Sequence, residues 1–186
     1  MSFEQADLKQ MWTNPFLAIG EQWMLVSAGD EQVHNTMTAS WGGMGVLWGD
    51  PTVTVYLRPQ RYTRELIEAN DLFTVSFLDN EPYAEALRYC GRVSGRDVDD
   101  KFAGAGLMPL FVDGTCAVAQ AELVLVCRKI YAADMPPENF IDPDADAKWY
   151  PDHDYHRMYI GRIEKFYVSS TMQQTEPQAF PRPLSI

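Results

Sequence analysis

Between Asn35 and Phe77 the chain holds three strand-like runs and room for only one short helix. Residues 53–58 carry the clearest pattern. Val53, Val55 and Leu57 point to one side and Thr54, Tyr56 and Arg58 to the other, and Pro59 ends the run. Residues 36–41 and 73–77 repeat the pattern on either side. Three strands this close together exclude a regular succession of strand and long helix, and with it a doubly wound sheet. The same stretch gathers small hydroxyls, Trp41, paired glycines and a strand ending in Arg58-Pro59-Gln60-Arg61-Tyr62-Thr63. That mixture offers a stacking surface, backbone access and anion contacts to a flat, phosphorylated aromatic ligand.

The rest of the chain extends the β pattern. Residues 23–27 form a strand, with Ala28-Gly29-Asp30 as its turn. Gly42, Gly43 and Gly45 either interrupt the next strand or admit another backbone or a ligand. Asp50-Pro51 marks a turn. Thr63 caps a short helix with Leu66 and Ile67 on one face and Asn70 as its stop. Asn80 caps a helix over 83–90 that stops at Gly91, with Glu81-Pro82 in its first turn. Asp97 and Asp100 pair to cap a second helix over 98–103, which Gly104 and Gly106 end. Residues 119–131 form a strand, 134–154 a polar loop and 155–169 the last strand. At least six strands with few, short helices predict a mainly β domain, a barrel, over residues 1–170. Pro177, Pro181 and Pro183 make 171–186 an extended arm or disordered tail.

Composition narrows the partners. An apolar share of 46% suffices for a core. A net charge of −11 argues against a nucleic-acid binder and against an anionic membrane surface. Cys90, Cys116 and Cys127 are odd in number and lack metal-like spacing, which indicates buried or free thiols in a reducing compartment. The sequence shows no signal peptide and no apolar run approaching the ~20 residues of a membrane-spanning helix, so a cytoplasmic protein is expected.

Three motifs in order carry a family resemblance. They are Asn35-Thr-Met-Thr-Ala-Ser-Trp41-Gly-Gly, then Arg58-Pro-Gln-Arg61-Tyr-Thr63, then Cys90-Gly-Arg-Val-Ser94-Gly-Arg-Asp-Val-Asp-Asp-Lys101-Phe. With the closing Tyr150-Pro-Asp-His-Asp-Tyr-His156-Arg-Met-Tyr-Ile-Gly161, they resemble the flavin reductase-like, flavoredoxin-type FMN-binding split-barrel family over roughly residues 12 to 168. The resemblance implies a Greek-key split barrel, a homodimer and one FMN per subunit near the interface. It implies flavin contacts from Asn35, Thr36, Met37, Thr38, Ala39, Ser40 and Trp41, and from Arg58, Arg61, Tyr62 and Thr63. It adds Ser94 and Lys101, and places His156 near the flavin. Chemistry fits these roles: hydroxyls suit the polar edge of the ring, Trp41 offers an aromatic face, and guanidinium binds phosphate in a fork. Without the resemblance, the same residues read first as a barrel strand with one core Trp, a solvated Arg pair, an ordinary helix cap and a solvated Lys.

Other motifs fail. Gly43-Met-Gly45-Val-Leu-Trp48 lacks the last glycine of a dinucleotide loop and its strand–helix setting. Asp142-x-Asp144-x-Asp146 has Ala147 where a calcium loop needs glycine, and His153 where it needs the bidentate Glu. His153 and His156, three apart, face opposite ways on a strand, so no metal site is expected.

The resemblance therefore implies an FMN-dependent oxidoreductase in which reduced NAD(P)H gives hydride to the flavin and the flavin passes electrons to an acceptor. No catalytic acid or base is implied. Two alternatives stand beside it. One is an FMN-binding electron carrier whose acidic surface docks a redox partner protein. The other is a dimeric split-barrel interaction module without flavin.

Overall fold

The computed structural model describes residues 2–11 and 13–170, apart from the side chains of Gln10 and Asn80. The predicted tail, 171–186, lies outside the described residues. In chain order the elements are β1 (Phe3–Gln5), α1 (Pro15–Gly20), β2 (Met24–Gly29), β3 (His34–Ala39), β4 (Gly42–Leu47) and β5 (Asp50–Leu57). Then come α2 (Tyr62–Ala69), β6 (Leu72–Phe77), α3 (Asn80–Arg92), α4 (Lys101–Gly104), β7 (Pro109–Val112) and β8 (Thr115–Val118). The chain continues through β9 (Leu123–Asp134), α5 (Pro143–Trp149) and β10 (Arg157–Ser169). The expected mainly β architecture is what the chain adopts.

The large antiparallel sheet runs β3-β2-β6-β9-β10-β5-β4, with β1 added along β10 and β7–β8 as a separate hairpin. Both faces of its central strands are covered. Leu123, Leu125 and Cys127 of β9 join one core with Val26, Phe73 and Tyr159. Val124 and Val126, on the other face, join Leu25, Leu87, Cys90 and Phe102. A strand buried on both sides loses the apolar–polar alternation of a half-exposed one. The three thiols are free and buried, and burial holds each above its ordinary pKa.

Several local expectations are corrected. Of the two readings of Gly42, Gly43 and Gly45, interruption is wrong, since all three lie in β4, and close approach of another backbone holds at Gly42, where a Cβ would fall 2.5 Å from the Thr54 carbonyl oxygen. Asp50-Pro51 begins β5. The turn is instead Trp48-Gly49, both at positive φ (54° and 85°), the geometry that matches hairpin twist. Asp79, not Asn80, caps α3 by accepting from the Glu81 N–H, and the helix continues past Gly91 to Arg92. Asp100 alone caps α4, accepting from the Ala103 N–H, and the helix begins at Lys101. The expected strand over 119–131 starts later and ends later, as β9 over Leu123–Asp134, with residues 119–122 forming the turn after β8. The expected loop over 134–154 contains α5, started by Asp142 accepting from the Asp144 N–H with Pro143 at its first position.

Candidate functional site

β3 is one edge of the large sheet, and the start of α2, the end of α3 and α4 gather beside it. Thr63 does not cap α2. Arg61 is the N-cap residue, with no side-chain capping bond, while Thr63 is buried in the first turn. Its hydroxyl oxygen accepts from the Asn35 side-chain amide at 2.8 Å, which ties β3 to α2. Gly95 closes over this pair: a Cβ there would sit 2.3 Å from Asn35 Oδ1.

A cavity of about 330 Å³ opens around these residues, lined among others by Asn35, Arg61, Tyr62, Thr63, Ser94, Gly95 and Lys101. Arg92 and Arg96 add positive charge to its wall, against one carboxylate, Asp97. This is a cationic compartment in a chain of net charge −11. Arg96 is spent on Glu65. Arg61 and Lys101 are not spent on carboxylates: Arg61 donates to the Gly91 carbonyl at 2.6 Å and Lys101 Nζ to the Cys90 carbonyl at 3.0 Å. Burial lowers the pKa of Lys101 to about 8, and Arg61 adds to the effect. Burial and Arg58 lower that of Arg61. A buried Lys101 and a half-buried Arg61, both held by neutral carbonyls and with Arg61 disfavouring the charge on Lys101, form a site that an anion would relieve. The uncapped N–H groups of the α2 first turn add donors on the same side.

A second cavity, of about 270 Å³, runs along β3 beyond Arg61 and Met37, which line both. Thr38, Ala39, Ser40, Trp41, Tyr56, Arg58, Trp149 and His156 form its walls. Its aromatic side is built by Trp41, which packs tilted on His156 at 4.9 Å and edge-on to Trp149 at 5.1 Å. Desolvation and, next, Arg58 lower the pKa of His156 to about 4, so the imidazole is neutral near pH 7. Its Nδ1 shares a hydrogen bond of 2.8 Å with the Tyr150 hydroxyl.

Of the residues singled out in sequence, Asn35, Met37, Arg61, Tyr62, Thr63, Ser94 and Lys101 meet at the cationic cavity, and Thr38, Ala39, Ser40, Trp41, Arg58 and His156 at the aromatic one. Thr36 reaches neither: it is buried, and its hydroxyl accepts from Ser27 at 2.8 Å. Arg58 stands apart from the cationic cavity. It forms an ion pair with Asp154 and donates to the Trp149 carbonyl at 2.9 Å, so it pins the 149–154 segment. Sequence reasoning missed Tyr56, Trp149 and Arg92. Tyr56 had a signal, since it shares a strand face with Arg58; Trp149 and Arg92 had none.

No curated protein matches the sequence. Among solved structures, flavoredoxin from Methanosarcina acetivorans superposes with TM-score 0.63 at 22% identity, covering 80% of this chain and 69% of that one. An FMN-binding domain of a flavin reductase-like enzyme from Shewanella baltica superposes with TM-score 0.63 at 18% identity, covering 90% and 77%. Flavoredoxin from Desulfovibrio vulgaris gives TM-score 0.61 at 24% identity, covering 80% and 70%. At such identities the likeness is one of fold. The family model for the flavin reductase-like domain matches residues 17–183, which include the entire constellation around β3, and the chain therefore belongs to the flavin reductase-like domain family.

Proposed function

We propose that the chain is an FMN-binding oxidoreductase that takes hydride from reduced NAD(P)H and passes electrons to an acceptor. The observation that carries this is one continuous site with two chemistries. A cationic pocket at Arg61 and Lys101 opens, past Arg61 and Met37, onto an aromatic slot along β3. The donor set fits the cofactor. Arg61, Lys101, Ser94 and the first turn of α2 would hold the phosphate, with Thr63 and Asn35 fixing the wall behind it. Thr38 and Ser40 would meet the polar edge of the ring, and Trp41 and Tyr56 would bound it. Bound FMN supplies the hydride chemistry. The protein's contribution is position and field: Arg61, at the ring-side slot and without a carboxylate partner, favours added negative charge there. Neutral His156 holds the Tyr150 side of the slot.

A homodimer completes this reading. Val46 and Trp48, on and just after edge strand β4, are 76% and 70% exposed, as a surface awaiting a second copy would be. A second reading is an electron carrier, favoured by the net charge of −11, which suits docking to a basic partner protein. One experiment separates the readings. Protein loaded with FMN is mixed anaerobically with NADH or NADPH. Prompt bleaching of the flavin bands supports the reductase. Bands that persist with both nucleotides and bleach with dithionite support the carrier. Failure to retain FMN would reject both.

A further inference from the structure

A third cavity, of about 580 Å³, adjoins the aromatic slot and shares Ser40, Trp41, Tyr56 and Trp149 with it. Its remaining walls come from α1, through Phe16 and Ile19, and from the segment carrying Met135, Phe140 and α5. Among the described residues, none that lines it carries a charge. That contrasts with its neighbours: the slot has Arg58 and Arg61, and the cationic cavity has four basic residues. In a chain with 22% charged residues, a wholly uncharged, ring-rich chamber next to a site for a redox cofactor selects its occupant by chemistry. A dinucleotide carries a pyrophosphate, for which this chamber has no cation. A flat, uncharged aromatic molecule finds ring faces, the thioether of Met135 and a volume within the usual range for a small-ligand pocket.

We propose that this chamber binds a neutral aromatic electron acceptor of the quinone class, against the outer side of the Trp41–Trp149 pair. The inference rests on the flavin reading of the adjoining slot. Electrons balance without another reactant. Conversion of quinone to hydroquinone takes two electrons and two protons; bound reduced FMN would supply both electrons and one proton as a hydride equivalent, and solvent would supply the second proton. The chain's part is to bring the acceptor beside the slot while the cations stay with the phosphate. Ala145, half-buried on α5, and Phe16, 85% exposed on α1, line the chamber but not the slot, so they test it without touching the flavin contacts.

Oxidised, FMN-loaded protein is titrated with menadione by calorimetry, which reads binding without turnover. Wild type is expected to bind saturably. Ala145→Glu should weaken binding at least about ten-fold, because a carboxylate would be desolvated beside the ligand, while FMN affinity stays within about two-fold. Phe16→Asp, on an already exposed position, repeats the test should Ala145→Glu fold poorly. Saturable binding that both variants leave unchanged would overturn the proposal. So would FMN binding without saturable menadione binding, including the case in which a second copy of the chain fills the chamber. Menadione binding that both variants weaken, in a chain that fails to bind FMN, would overturn the flavin reading and with it the acceptor role.

Discussion

The Asn35 side-chain amide donates to the Thr63 hydroxyl at 2.8 Å, joining β3 to α2 across 28 residues of sequence. Asn35 is 2% and Thr63 0% exposed, so neither partner can turn to water if the other is lost. Asn35→Ala should therefore cost about 1–3 kcal/mol of stability, the range for leaving a buried polar group unpaired. The double variant with Thr63→Val should cost less than the sum of the singles. Urea unfolding with an unchanged m-value would measure both.

Gly95 is the third member of that contact. An added Cβ would lie 2.3 Å from Asn35 Oδ1 and 3.2 Å from Tyr62 Cδ1, and Asn35 cannot withdraw without losing Thr63. Gly95→Ala should lower stability by about 1–3 kcal/mol and weaken FMN binding. Gly91→Ala is the contrast: its Cβ would meet Thr38 no closer than 3.6 Å. The Gly91 variant should unfold at the wild-type urea midpoint, and the Gly95 variant well below it.

Lys101 should make flavin binding pH-dependent. Its pKa, lowered to about 8 by burial, should rise when a phosphate arrives, because an opposite charge favours the ammonium form. Binding near pH 8 should then take up a proton, and affinity should fall as pH rises above that value. Calorimetry in buffers of different ionisation enthalpy reads the uptake. Lys101→Met should abolish it and flatten the profile.

His156 should make the fold acid-sensitive. Its pKa is lowered from 6.5 to about 4, first by desolvation and then by Arg58. The unfolded chain takes a proton as pH falls through about 6.5, and the folded chain refuses it until about 4. Stability present above this window is lost within it, by up to roughly 3 kcal/mol at about 1.4 kcal/mol per unit. Denaturant unfolding at about pH 7 and about pH 5 should show a smaller loss for His156→Gln than for wild type.

Much of this was legible in the sequence, for reasons that particular residues explain. The alternation of Val53, Val55 and Leu57 marked β5 because that face is buried while the other carries the half-buried Thr54 and Tyr56. Most of the site was legible because it lies on contiguous motifs. Roles within it were not. Thr63 resembled a cap and is instead the acceptor for Asn35, a pairing that depends on how α2 folds back on β3. Arg58, expected at the flavin, lines the slot and also holds Asp154, 96 residues away, a partner that no local pattern names. β9 shows no alternation over Leu123–Cys127 because these residues are buried on both faces, so its start could not be placed by period. The signals of α5 were present, with Asp142 as cap and Pro143 at the first helical position, but turn-forming residues around them concealed so short a helix.

The central claim is that uncompensated charge at Arg61 and Lys101 holds the phosphate of a flavin whose ring lies along β3. Parallel titrations of the flavin-free protein with FMN and with riboflavin, which lacks only the phosphate, test it most directly. Two charge-assisted contacts of about 1.5 kcal/mol or more each predict one FMN per chain and riboflavin at least about 100-fold weaker. Equal affinity for the two ligands, or no saturable binding of FMN, would contradict the account.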